Sequence, residues 1–130
     1  MKNTELRIGN LVECFGIREV VAIKKDKIKV QNESEKGHFI LEWTPITSLS
    51  LKPIKLSEEH LLKFGFKDVS SSLEKIFEKE NFKWHSSTDE VVVELDNGMN
   101  GFDLWTNCKN VHQLQNLFFA ITGEELNYEN

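Results

Sequence analysis

The apolar positions of the first half of this chain come in short clusters with a two-residue period, the pattern of half-buried strands. Gly9-Asn10 is turn chemistry, and a strand is expected over residues 11–14. Phe15-Gly16 turns the chain. Residues 17–24 supply β-branched Val20, Val21 and Ile23 to a second strand. After a tight turn at Lys25-Asp26, residues 27–31 alternate Lys, Ile, Lys and Val, with Ile28 and Val30 inward. A polar loop over 32–37 leads to a fourth strand, 38–43, with Phe39, Leu41 and Trp43 on one side. An extended piece over 46–56 follows, where Pro53 marks an edge or exit. Short strands at this spacing predict a small SH3-like barrel or curled meander.

The period changes at Ser57. This residue suits an N-cap, Glu58 and Glu59 suit the first turn of a helix, and Gly65 can stop it. A short connecting helix over 58–64 is expected. The following region has two readings. Ser70-Ser71-Ser72 caps a helix over 73–80, or residues 76–79 and 82–85 form two strands with a turn at Glu80-Asn81. The alternation of Phe82 and Trp84 with Lys83 and His85 favours strand for the second piece. Residues 91–95 and 101–106 read as strands joined by a turn at Asp96-Asn97-Gly98.

The strongest helical signal comes last, over residues 111–122. Val111, Leu114, Leu117, Phe118 and Ile121 recur at spacings of three and four and share one face. Asn110 can cap it, Gln113 completes a capping box, and Gly123 can take the left-handed terminal position. Burying such a face contributes roughly 1.5–3 kcal/mol per side chain, so the helix needs a surface supplied by strands. The expected fold is α+β: an SH3-like barrel over 1–56, then a unit over 57–130 whose antiparallel sheet packs against the C-terminal helix.

Composition narrows the function without supplying it. The net charge of −5 is uneven: residues 1–56 hold 10 Lys/Arg and 7 Asp/Glu, residues 57–130 hold 6 and 14. Broad phosphate-backbone contact is therefore excluded from the second half. Cys14 and Cys108 match no zinc or redox spacing, and no stretch approaches the ~20 apolar residues of a membrane span. The N-terminus leads into no signal-like apolar region, so a soluble cytoplasmic protein with reduced thiols is expected.

Two resemblances follow from particular residues. The G-N-x-V opening at Gly9–Val12, with V-x-A-I-x-x-D-x-I-x-V at Val20–Val30, resembles the start of KOW or Tudor-type barrels. L-R-I-G-N-L-V at Leu6–Val12, K-P-I-K-L-S-E-E-H-L-L-K-F-G-F at Lys52–Phe66 and V-H-Q-L-Q-N-L-F-F-A-I-T-G-E-E-L at Val111–Leu126 together resemble an uncharacterised family of small Bacteroidetes proteins, often prophage or mobile-element associated. That likeness implies a bacterial or phage setting and transfers no catalytic residue.

Candidate chemistry is sparse. None of the four histidines, His38, His60, His85 and His112, has ligand spacing, so no metal is expected. No catalytic or phosphate-binding glycine motif is present, and neither an enzyme nor a cofactor is expected. Lys24, Lys25, Lys27 and Lys29 cluster on one hairpin, where Lys27 and Lys29 share a strand face. They could contact phosphate, or simply guard a strand edge. His112, Gln113, Gln115 and Asn116 lie largely off the apolar helix face, either as a patch for a partner or with Gln113 capping the helix and the others meeting water or adjacent backbone. Trp43, Trp84 and Trp105 are either core or binding-surface aromatics. The favoured function is a non-enzymatic protein-binding accessory or adaptor, with another protein or a homodimer as partner. The alternative is a nucleic-acid-binding module using the lysine-rich barrel.

Overall fold

A computed structural model describes residues 5–32, 43–96 and 101–129, which fold into an α+β protein of two compact units. The first unit contains residues up to Lys55 together with Asn110–Glu125; the second contains Leu56–Lys109 and the residues from Leu126 onward.

In the first unit, β1 (Leu11–Glu13), β2 (Ile17–Ile23), β3 (Lys27–Asn32) and β4 (Thr44–Pro45) form a curled antiparallel sheet in sequential order. Each β1–β3 connection is a short turn at the expected place. A bulge between Val20 and Ala22 shifts the β2–β3 register, and such an extra residue bends a strand and increases its twist. Val12, Cys14, Val20, Ile28, Val30 and Leu51 are buried together with Leu6, and Ile23 and Ile46 pack against them. Residues 46–50 turn rather than extend, and Leu49 faces solvent. The expected loop at 33–37 and most of the strand expected at 38–43 lie outside the described residues.

The C-terminal helix, α2 (Val111–Thr122), belongs to this first unit and packs on β1. This corrects the expectation that it covers the second sheet within a 57–130 unit. Its ends are as the sequence indicates. The Asn110 N–H donates to Gln113 Oε1 at 3.0 Å, and Gly123 closes the helix at φ 74° with its N–H on the Phe119 carbonyl at 2.8 Å. Its buried face is rotated from the expected one. Val111, Leu114 and Phe118 are buried, but so are His112 and Gln115, while Ile121 is 37% exposed.

Gln115 explains the rotation. β1 is the edge strand of its sheet; on its outer side Glu13 exchanges backbone bonds with Lys52, at 2.8 and 2.9 Å, and the Leu11 end has no strand partner among the described residues. The Leu11 N–H donates to Gln115 Oε1 at 2.8 Å, and Gln115 Nε2 donates to the Gly9 carbonyl at 3.2 Å. The side-chain amide thus supplies both halves of a missing peptide neighbour, satisfying groups that are costly to bury unpaired. Beside it, Asn10 Nδ2 donates to Asn116 Oδ1 at 2.8 Å, and Asn116 Nδ2 donates to the Glu5 carbonyl at 2.9 Å. Arg7 pairs with Glu125 and lies 4.3 Å from the centre of the Phe119 ring.

The second unit starts with α1 (Glu58–Lys63), capped by Ser57 and ended by Gly65 at φ 88°. Its sheet contains β5 (Lys67–Asp68), β6 (Ile76–Lys79), β7 (Phe82–His85), β8 (Glu90–Asp96) and β9 (Gly101–Asn107), antiparallel and in that order. The strand reading of the Ser70–Asn81 region is the observed one. Instead of capping a helix, Ser70 Oγ accepts from the Ile76 N–H at 3.0 Å, and the Asp68 carboxylate accepts from the Ser70 N–H at 2.9 Å. The register places Phe77, Phe82, Trp84, Val91 and Val93 on one face of the sheet, and all are buried. Leu61, Phe64, Phe66 and Cys108 join the buried set of this unit.

Candidate functional site

The candidate site is the outer strand of the second sheet. Its geometry follows from one bond. The Cys108 N–H donates to the Asp89 carbonyl at 2.8 Å, just beyond the β8–β9 ladder. Antiparallel ladders alternate hydrogen-bonded and non-bonded pairs. Stepping by two, Thr106, Leu104 and Phe102 therefore bond to Val91, Val93 and Leu95. The peptide groups of Gly101, Asp103, Trp105 and Asn107 point away from β8. β9 has no strand on that side among the described residues. All four of these residues are exposed.

The side chains along this edge are not those of a guarded one. Natural edges are shortened, bulged, or armed with Lys or Pro. β9 is seven residues long, pairs in unbroken register and carries one charge, Asp103. Trp105 is 56% exposed and Leu104 38%. Trp105 stands opposite Val92, and its ring centre is 5.6 Å from that of His85. His85 Nδ1 lies 2.6 Å from Glu74 Oε1. The same sheet face carries the Lys83–Glu94 pair, at 2.8 Å. The result is a polar strand face with one large aromatic, bordered by backbone that pairs with no strand among the described residues.

The lysine hairpin differs in exposure from one residue to the next. Lys24, Lys25 and Lys27 are exposed, but Lys29 is half-buried. Lys24 Nζ and Lys29 Nζ lie 4.4 and 5.0 Å from the centre of the Trp43 ring. Lys27 and Lys29 share a strand face but differ in exposure, and Lys29 makes a cation–π contact with the ring. Of the three tryptophans, Trp84 is core, Trp43 is covered by lysines, and Trp105 is the exposed one.

Of the two readings of His112, Gln113, Gln115 and Asn116, the observed bonds follow the one in which Gln113 caps the helix and neighbouring amides meet backbone. His112 and Gln115 are buried, Gln115 and Asn116 bond within the first unit, and Gln113 caps its own helix. The sequence left open which amides bind backbone, because a side-chain amide that serves a strand edge looks identical to one that serves water.

His112 is 1% exposed, neither ring nitrogen has a hydrogen-bond partner among the described residues, and Glu5 Oε2 is 3.7 Å from Nε2. That separation exceeds a hydrogen bond. Burial holds its pKa below the usual histidine value, against the opposing pull of Glu5. The neutral ring is thus favoured by the fold. The stability it permits is complete above the unfolded value near 6.5 and is lost as pH falls toward the lower folded value, because only the unfolded chain takes up the proton there. Wild-type melting temperature is expected to drop between about pH 7.5 and 5, and His112→Leu to flatten that drop. Thermal melts of both proteins across the range check this.

Cys14 and Cys108 are buried free thiols. Burial first, and Asp89 second, push the Cys108 thiol up to about 12. A thiol so rarely ionised is a poor nucleophile. Cys108 is expected to escape labelling by a thiol-disulfide reagent at neutral pH and to label fully in denaturant, read by mass spectrometry.

A cavity of about 320 Å³ lies beside Gly65, Lys67, Val69, Glu78, Lys79 and Glu80. Lys79, one of its lining residues, donates from Nζ to the Phe64 carbonyl at 2.8 Å. Its charges alternate in sign, so it selects no ligand charge. No group of metal-ligating side chains occurs among the described residues.

Comparison with protein-family models, curated proteins and solved structures finds no match to this chain. No helix among the described residues is long and apolar enough to cross a membrane. The functional reading therefore rests on the geometry above.

Proposed function

We propose that this protein is a non-enzymatic protein-binding module that takes an extended partner segment onto the free edge of β9. The observation that carries the reading is that edge itself: outward peptide groups at Gly101, Asp103, Trp105 and Asn107, flanked by exposed Leu104 and Trp105. Strand addition draws affinity from main-chain hydrogen bonds and specificity from alternate side chains. Trp105 suits the second role, because large aromatics dominate binding hot spots. The non-enzymatic reading is favoured by the burial of Cys108 and His112, which disfavours the charged form of each. An SH3-like identity for the first unit is supported by its curled, sequential four-strand order. A bacterial or phage setting and a cytoplasmic location belong to the same reading and rest on the sequence.

The test uses a displayed library of random peptides. Wild type should enrich extended, β-prone sequences, and Asp103→Pro should not bind them. That proline removes an outward N–H while sparing the bonds to β8. Failure to enrich any peptide, or equal binding by the proline variant, overturns the reading.

A second reading has its own observation, the Lys24–Trp43–Lys29 cluster. Nucleic acid recognition on a barrel combines cations with an aromatic platform. Here the lysines already occupy the ring, and the overall charge is −5. Fluorescence anisotropy with single- and double-stranded probes at low salt decides it, since low salt is the most permissive condition.

A further inference from the structure

We propose that the strand taken up by β9 is β9 of a second copy of this chain, antiparallel and in the register centred on Leu104. This rests on the reading of β9 as the binding edge and names its partner. The argument is one of self-complementarity. In a two-fold antiparallel pair, an outward-facing residue must oppose another outward-facing residue. The outward set is Gly101, Asp103, Trp105 and Asn107. An axis through Leu104 matches the whole set: Gly101 with Asn107 of the second copy, and Asp103 with Trp105.

Neighbouring registers are worse. An axis through Asp103 sets two carboxylates directly opposite and leaves Asn107 unmatched; like charges in that position are destabilising. An axis through Trp105 leaves Gly101 unmatched within the strand. An axis between residues faces outward groups with ones already bonded to β8. Charge therefore selects the same register as hydrogen bonding, because Asp103 is the only charged residue of the strand. The centred register also places the two Leu104 side chains in a close, non-hydrogen-bonded pair. They lie on the sheet face that holds Phe82 and Val93, where Leu104 is 38% exposed. Each Trp105 lies on the opposite face beside an Asp103 that carries no competing apolar partner. The joined sheet would have no free β9 edge.

Two measurements test this. Sedimentation velocity of the full chain should show the mass rising with concentration from 15.1 kDa toward twice that value. Asp103→Pro should stay at the monomer mass while keeping the wild-type circular dichroism. Under mild oxidation, Leu104→Cys should form an interchain disulfide and Asp103→Cys should not. Non-bonded antiparallel pairs bring Cα atoms to about 4.5 Å, within disulfide range, whereas residues related diagonally lie about 7–8 Å apart. A wild type that is monomeric at every concentration, or equal cross-linking of the two cysteine variants, overturns self-pairing. If peptides sensitive to Asp103→Pro are still selected in that case, the binding edge stands and only the identity of its partner falls.

Discussion

Replacing Gln115 with leucine should strongly destabilise the first unit, although leucine suits a helix and an apolar site. The substitution removes the acceptor of the Leu11 N–H and the donor to the Gly9 carbonyl. Leu11 and Gln115 are both buried, so water does not readily replace either bond. Each unsatisfied buried group costs about 1–3 kcal/mol, a large share of a typical domain stability of about 5–15 kcal/mol. Gln113→Ala is the control. Gln113 is exposed and contributes only its cap, worth about 0.3–1.5 kcal/mol. Urea denaturation gives the two losses, and amide exchange reads the Leu11 N–H directly. An unchanged midpoint with a still-protected Leu11 amide would refute the bridging role of Gln115.

The second large effect is expected at Phe82→Ala. Phe82 is fully buried, and its β-ladder partners are Lys79 and Val93. Neighbouring Trp84 packs with Phe77 at a ring separation of 6.1 Å. Truncating a core phenylalanine removes its transfer free energy and leaves a cavity, about 3–5 kcal/mol in all. Amide exchange should accelerate across β6, β7 and β8 in consequence. Leu73→Ala supplies the contrast. Leu73 is 96% exposed, and its truncation should change stability by no more than about 0.5 kcal/mol. Equal effects at the two positions would mean that Phe82 is not the centre of that sheet.

Local signals carried much of the architecture. The alternation at Ile28 and Val30, and at Phe82 and Trp84, marked strands whose inward faces are buried. Asn110, Gln113 and Gly123 marked the ends of α2, because caps act within a few residues of themselves. The α+β class, the curled first sheet and the antiparallel second sheet follow from such patterns. The lysine hairpin was legible as a place, but its contact with Trp43 was not. Three-residue and four-residue spacing also suggested the wrong depth for part of α2: Ile121 stays exposed, while His112 and Gln115 are buried.

The candidate site lay on a strand whose existence was readable and whose position in the sheet was not. Residues 101–106 look like any strand; only pairing order makes β9 the last one and leaves Trp105 outside. Period-two patterning reports which side chains share a face, but says nothing about which strands lie next to one another. The destination of α2 was hidden for the same reason. A greasy helix face needs a β-surface, and two were on offer. The choice fell to long-range hydrogen bonds from Gln115 to Gly9 and Leu11, about a hundred residues away in the chain. The amino-acid order alone determined where strands and helices begin and end, since those depend on neighbours along the backbone. Tertiary structure decided which edge is closed by a glutamine and which is left open, since that depends on neighbours in space.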